Sequence, residues 1–134
     1  MVIRVLVVDD HEGVRLALAA ALAREPDFNV CGKAADGRAA VELARTTEPH
    51  VVLMDVAMPR MDGFAATEAI LHERPDARVL MLSCLTDKGS VARATAAGAS
   101  GYLAKGMDSS DVAAAIRAVY RGERPNRCVC EPEI

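Results

Sequence analysis

The sequence predicts an α/β fold: a doubly wound parallel sheet of five strands with helices on both faces, a three-layer sandwich. Three observations predict it. Apolar or β-branched runs alternate with helix-period segments five times along the 134 residues. The runs Ile3–Val8 and Val51–Met54 are nearly all apolar, as suits strands covered on both faces rather than wet on one. Acidic, hydroxyl or ammonium side chains stand at the ends of four runs, and the carboxyl ends of strands are where open α/β sheets bind ligands.

Taken in order, Ile3 to Val8 is the first strand and ends at Asp9-Asp10. Val14, Ala17, Leu18, Ala21 and Leu22 then follow the spacing of one helix face, and Glu25-Pro26-Asp27 marks its stop. Phe28 to Ala34 reads as a strand, Asp36-Gly37 as a turn and cap, and Arg38 to Thr46 as a helix burying Ala40, Val41 and Ala44, ended by Glu48-Pro49. Val51 to Asp55 is the third strand. The helix after it runs from Gly63 to Glu73, with Asp62 as the turn residue before it and Arg74-Pro75-Asp76 closing it. Arg78 to Ser83 is the fourth strand. Lys88 to Ala97 suits a helix, although its Ala, Thr and Gly content makes it the least apolar of the set, and Gly98 supplies its stop. Ser100 to Ala104 is a short strand leading to Lys105-Gly106. Asp108 is placed to cap a last helix that buries Val112, Ala115, Ile116, Val119 and Tyr120 and closes at Gly122. Residues 1–122 thus read as one domain, and 123–134, with two prolines and no period, as a linker or disordered tail.

A net charge of −3 and the absence of a basic stripe give no reason to expect the chain itself to bind nucleic acid. No apolar run is long enough for a membrane span, and Met1 leads straight into Val2-Ile3-Arg4 without the sections of a signal peptide, so the expected location is cytoplasmic. Cys31, Cys84, Cys128 and Cys130 form no Cys-x-x-Cys pair and have no matching histidine spacing. Free thiols are expected rather than a zinc site.

In a parallel sheet every strand points the same way, so Asp9, Asp10, Asp55, Ser83 and Lys105 are expected to share one edge. Carboxylates so close repel one another unless a cation intervenes, and oxygen-only donors suit a hard ion such as Mg2+. A carboxylate can also attack phosphorus and form an aspartyl phosphate. That chemistry needs a metal to offset negative charge, an ammonium, and a hydroxyl for the phosphoryl oxygens, and this edge offers a site for each. His11 is expected at the rim of the pocket rather than as a base.

These residues carry a resemblance. Asp9-Asp10, the run Met54-Asp55-Val56-Ala57-Met58-Pro59-Arg60-Met61-Asp62-Gly63, Leu82-Ser83 and Gly101-Tyr102-Leu103-Ala104-Lys105-Gly106 resemble the receiver domain of bacterial two-component response regulators. Within that superfamily, Asp10-His11-Glu12-Gly13-Val14-Arg15 and the stretch from Gly98 to Lys105 resemble the NarL/FixJ type. The resemblance implies a flavodoxin-like (βα)5 fold with strand order 2-1-3-4-5. It implies that Asp55 accepts phosphoryl from a sensor histidine kinase, with Mg2+ held by Asp10, Asp55 and the Ala57 carbonyl, and by Asp9 through water. Ser83 and Lys105 would bind the phosphoryl group, and Ser83 with an inward-rotating Tyr102 would switch the surface of the fourth helix and fifth strand. Phosphotransfer and autodephosphorylation would be self-catalysed, so the chain is a signalling switch and not a turnover enzyme. The implied partners are the kinase, a second copy on phosphorylation, and DNA through a C-terminal domain that this chain does not contain. The alternatives are a single-domain regulator and a receiver that works without phosphorylation.

Two other classes fit less well. A phosphatase of the haloacid-dehalogenase type needs Asp-x-Asp at the first strand end, where this chain has adjacent Asp9-Asp10. A flavin module would want a phosphate loop there, yet Asp9-Asp10-His11-Glu12 repels phosphate. Cys84, where the family commonly has a small residue, is expected to narrow access to the phosphate or slow turnover.

Overall fold

A computed structural model describes residues 2–58, 61–83 and 88–123. Cys84, Cys128 and Cys130, and residues 124–134 of the expected tail, lie outside the described residues. The elements are β1 (Ile3–Val8), α1 (Glu12–Ala23), β2 (Phe28–Ala34), α2 (Gly37–Thr47), β3 (Val51–Asp55), α3 (Gly63–Glu73), β4 (Arg78–Ser83), α4 (Lys88–Ala97), β5 (Gly101–Ala104) and α5 (Ser109–Tyr120). The strands form one parallel sheet in the order β2-β1-β3-β4-β5. β1 has neighbours on both sides, and the chain reverses its winding direction between β1 and β3. That is the switch point at which a crevice opens beyond the strand ends.

Period-two alternation divides the core. Leu6, Val8, Val52, Met54, Val79 and Met81 face Ala40 and Ala44 of α2, Ala66 and Ile70 of α3, and Ala94 of α4. Val5, Val7, Val51, Leu53, Leu80 and Leu82 face Ala19 and Leu22 of α1 and Val112, Ile116 and Val119 of α5. Each central strand is therefore apolar on both faces because a helix layer covers each one.

Local chemistry sets the helix ends. Asp36 and Asp62 cap α2 and α3 by accepting the backbone N–H of Ala39 and Ala65, each at 2.9 Å. Gly98 and Gly122 follow α4 and α5 with φ of 102° and 89°, a region that costs an L side chain dearly. Asp108 stands at the N-cap of α5, but its side chain makes no capping bond. α1 also departs from its periodicity. Val14 is 44% exposed and Ala17 is exposed, while Ala19 and Leu22 are the residues of α1 that are buried. The start of this helix instead borders an open groove, with Leu18, Ala21, Met107 and Val112 along its walls. An apolar stripe does not guarantee burial where the opposing element stands off.

Arg117 of α5 ties the layer to the α1–β2 connection. Its guanidinium donates to Asp27 Oδ2 at 2.8 Å and Glu25 Oε1 at 2.7 Å, and it stacks over the Phe28 ring at 4.8 Å. The hydrogen-bonded guanidinium holds the Asp27 carboxyl below its ordinary range. Because the cluster is largely solvated, Arg117→Ala is expected to lower the melting temperature by only a few degrees. Thermal melts should show that difference shrinking as salt is raised. A salt-independent loss would assign the effect to packing on Phe28 instead.

Candidate functional site

Asp55 ends β3, and register pairs it with Leu82, one residue before Ser83. Val8 pairs with Met54, so Asp9 and Asp10 follow directly beside Asp55 at the β1–β3 crevice. Ser83 pairs with Ala104, and the Lys105 backbone N–H donates to the Ser83 carbonyl at 2.9 Å, which brings Lys105 to the same edge. The topology thus gathers residues separated by almost a hundred positions. Asp9, Asp55 and Ser83 are buried.

The Lys105 ammonium lies 2.9 Å from Asp9 Oδ2 and 3.3 Å from Asp55 Oδ1. Burial opposes its charge, but the hydrogen bonds and attraction from the two carboxylates outweigh that and hold Lys105 above its ordinary range. The Asp55 carboxyl is pushed up as well, to about 6, first by burial and then by the negative charge of Asp9, with Lys105 offsetting part of the rise; for a carboxyl this disfavours the charged form. One ammonium therefore does not balance three carboxylates. Asp55 Oδ2 and Asp10 Oδ1 are shielded from solvent and accept no hydrogen bond. Buried oxygen atoms without donors are costly, and a divalent cation is the group that satisfies several at once. The donor set fits Mg2+ on that ground.

The acidic loop is held by its own backbone. Asp9 Oδ1 accepts the backbone N–H of His11 at 2.9 Å, the Asp9 N–H donates to the Ala34 carbonyl at 3.1 Å, and Arg15 Nη1 donates to the Asp9 carbonyl at 2.9 Å. His11 occupies the N-cap of α1, with its side chain largely exposed, at the pocket rim. On the far side, the Gly63 N–H donates to the Val56 carbonyl at 2.8 Å and the Val56 N–H to the Leu82 carbonyl at 3.2 Å. This anchors the loop after Asp55 at both ends.

Tyr102 is 4% exposed and packs in the same core cluster as Val79, Met81, Ala94 and Ala99. In this conformation the ring is already buried, on the side of the sheet that α4 covers. Arg15 and Gly63 are the contributors to the site that sequence reasoning did not single out. No spacing rule marks an arginine that binds a carbonyl six residues upstream, and a glycine after an aspartate looks like any turn.

With this geometry in place, the similarities to known proteins are specific. The response regulator receiver domain model matches residues 5–117. The transcriptional regulatory protein LiaR of Bacillus subtilis is 45% identical over 121 residues, which are 90% of this chain and 57% of LiaR. A two-component response regulator of the LuxR family from Aurantimonas superposes with a TM-score of 0.87 at 35% identity, covering 92% of this chain and 89% of that one. The CheX–CheY–BeF3–Mg2+ complex from Borrelia burgdorferi contains a chain that superposes with a TM-score of 0.82 at 30% identity, covering 88% and 89%. The fold is that of a doubly wound (βα)5 protein with acidic residues, a hydroxyl and an ammonium at one edge, and the chain belongs to the response regulator receiver domain family. It spans 57% and 62% of the length of the first curated relatives it matches. Among the described residues, no helix is long and apolar enough to cross a membrane.

Proposed function

We propose that residues 1–122 form a receiver whose Asp55 takes a phosphoryl group from a sensor histidine kinase, and that 123–134 serve as a linker or tail. The observation that carries this reading is the buried Asp55 carboxylate at the end of β3, one oxygen without a hydrogen-bond donor and the other 3.3 Å from the Lys105 ammonium. An Asp55 oxygen attacks the phosphorus of the phosphohistidine, the P–N bond breaks, and the departing imidazole nitrogen takes a proton. Lys105 pairs with the incoming phosphoryl oxygens and the Ser83 hydroxyl donates to another. Asp10, Asp55 and the Ala57 carbonyl would hold Mg2+, with Asp9 supporting it through water; the ion supplies charge neutralisation at the phosphoryl oxygens. Water later hydrolyses the acyl phosphate, so the chain resets itself without turning over a substrate. The presence of BeF3 and Mg2+ in the similar CheX–CheY complex supports this assignment.

Phosphorylation raises the negative charge at Asp55 and adds acceptor oxygens, drawing Ser83 toward them. The change reaches α4 and β5, whose Tyr102 shares a core cluster with Ala94 of α4, and from there a second copy or an output domain. Similarity to LiaR supports a transcriptional output through a DNA-binding domain beyond this chain.

Incubation with a small acyl phosphate and MgCl2 is expected to give stoichiometric, acid-labile phosphorylation that is lost in Asp55→Asn and on adding EDTA. Labelling that survives in Asp55→Asn would place the acceptor elsewhere. A wild-type chain that takes no label from either donor or kinase would instead favour a receiver that acts without phosphorylation.

A further inference from the structure

We propose that Arg15 is a positioning residue for phosphoryl uptake: through the Asp9 carbonyl it orients the Asp9-Asp10 peptide and so aims the Asp10 carboxylate at the cation site beside Asp55. This rests on the reading of the pocket as a Mg2+ site. Asp9 itself is firmly anchored. Its N–H donates to the Ala34 carbonyl at 3.1 Å, its Oδ1 accepts the His11 N–H at 2.9 Å, and its Oδ2 lies 2.9 Å from the Lys105 ammonium. Asp10 is held less: its side chain is partly exposed, and its Oδ1 accepts no hydrogen bond. The peptide that joins it to Asp9 therefore decides where its carboxylate points. A peptide is planar, so a bond that holds its oxygen also sets the direction in which the next Cα leaves. Arg15 Nη1 makes that bond at 2.9 Å.

The seating of α1 gives this bond its weight. The buried residues of α1, Ala19 and Leu22, stand in its second half, whereas Val14 and Ala17 are exposed beside the open groove. His11 at the N-cap makes no side-chain capping bond. The first turn is thus tied to the end of β1 by hydrogen bonds from the Arg15 guanidinium and the His11 N–H rather than by packing. The cation in contact with the carboxylates is Lys105, while Arg15 bonds a neutral carbonyl. Charge and position consequently predict opposite effects on the ion. Removing a positive charge near the pocket would by electrostatics alone tighten Mg2+ binding, by roughly 2- to 5-fold. Removing the partner that orients a metal ligand weakens binding instead, by roughly 10-fold or more. The sign of the change separates the two roles.

The test titrates MgCl2 calorimetrically into the wild type, Arg15→Met, Arg15→Ala and Arg15→Lys, with each fold checked by circular dichroism. Met and Ala favour a helix and carry no donor, whereas Lys keeps a charge and a donor. Arg15→Met and Arg15→Ala are expected to bind Mg2+ roughly 10-fold more weakly, and Arg15→Lys to recover part of the loss. Labelling by a small acyl phosphate should need correspondingly more Mg2+ for its half-maximal rate, with the rate at saturating Mg2+ within about 2-fold of wild type. Without metal, the His11 amide should exchange faster in Arg15→Met, because the turn it closes on Asp9 loosens. Unchanged or tighter Mg2+ binding in the two neutral variants overturns the proposal, and so does a lower saturated rate with no change in affinity. A wild type that binds no Mg2+ overturns the reading of the pocket as a cation site as well.

Discussion

Without divalent cations, Asp55→Asn is expected to be more stable than the wild type above pH 6 and no more stable near pH 4. The Asp55 carboxyl is raised from 3.8 to about 6 in the folded chain, by burial first and by Asp9 second. Between those values the folded state binds more protons than the unfolded one, so stability falls as pH rises through that window and stays low above it. Asn keeps the shape without the charge. The gain is expected to be ~1–3 kcal/mol at neutral pH, since a tenfold change in proton affinity corresponds to about 1.4 kcal/mol and Lys105 already offsets part of the repulsion. Adding MgCl2 should reverse the ranking by stabilising the wild type more than the variant, because binding to the folded state adds stability by mass action. Chemical denaturation at several pH values, with and without the ion, checks this; parallel pH curves for the two proteins would refute it.

The second large effect is expected from Gly63→Ala. A Cβ there would overlap the Asp55 carbonyl oxygen and come within 2.9 Å of Val56 Cα and 3.0 Å of Met81 Cε. The first two obstacles are backbone, so β3 and α3 must part, at a cost of about 1–3 kcal/mol or more. The shift would act on the end of β3, which carries Asp55, and on the loop with Ala57 after it, so phosphorylation should fall together with stability. Gly13→Ala is the contrast. Nothing lies within 4 Å of a Cβ at Gly13, and this helical position is expected to gain up to about 1 kcal/mol from reduced freedom of the unfolded chain. Denaturant midpoints for the two variants should therefore move in opposite directions. A neutral Gly63→Ala would show that the close approach carries no function.

Much of the fold is legible in the residues alone. The alternation of Val, Ile and Leu runs with helix-period segments determined the parallel sheet, since only helices on both faces let such strands be apolar throughout. It also placed Asp9, Asp10, Asp55, Ser83 and Lys105 at strand ends, and parallel strands put those ends on one edge. The Asp36 cap and the stops Gly98 and Gly122 are local chemistry legible in the sequence, whereas Asp62, expected only as a turn residue, also caps α3. β5 begins at Gly101 rather than Ser100, a one-residue difference at a strand end.

Other features depend on distances between segments that no local pattern encodes. Periodicity could not tell that Val14 and Ala17 border an open groove, because burial depends on the element opposite as well as on the stripe. Nor could it show that Tyr102 is already covered, that Gly63 passes against the Asp55 carbonyl, or that Arg15 holds the Asp9 backbone. The sequence by itself determined which groups meet at the edge of the sheet. Only the tertiary structure decided how they are balanced: one ammonium against three carboxylates, two oxygens left without donors, and an imidazole nitrogen 3.2 and 3.4 Å from two of the acids. Charge balance and donor geometry are set by packing across the sheet, and packing is a property of the whole fold.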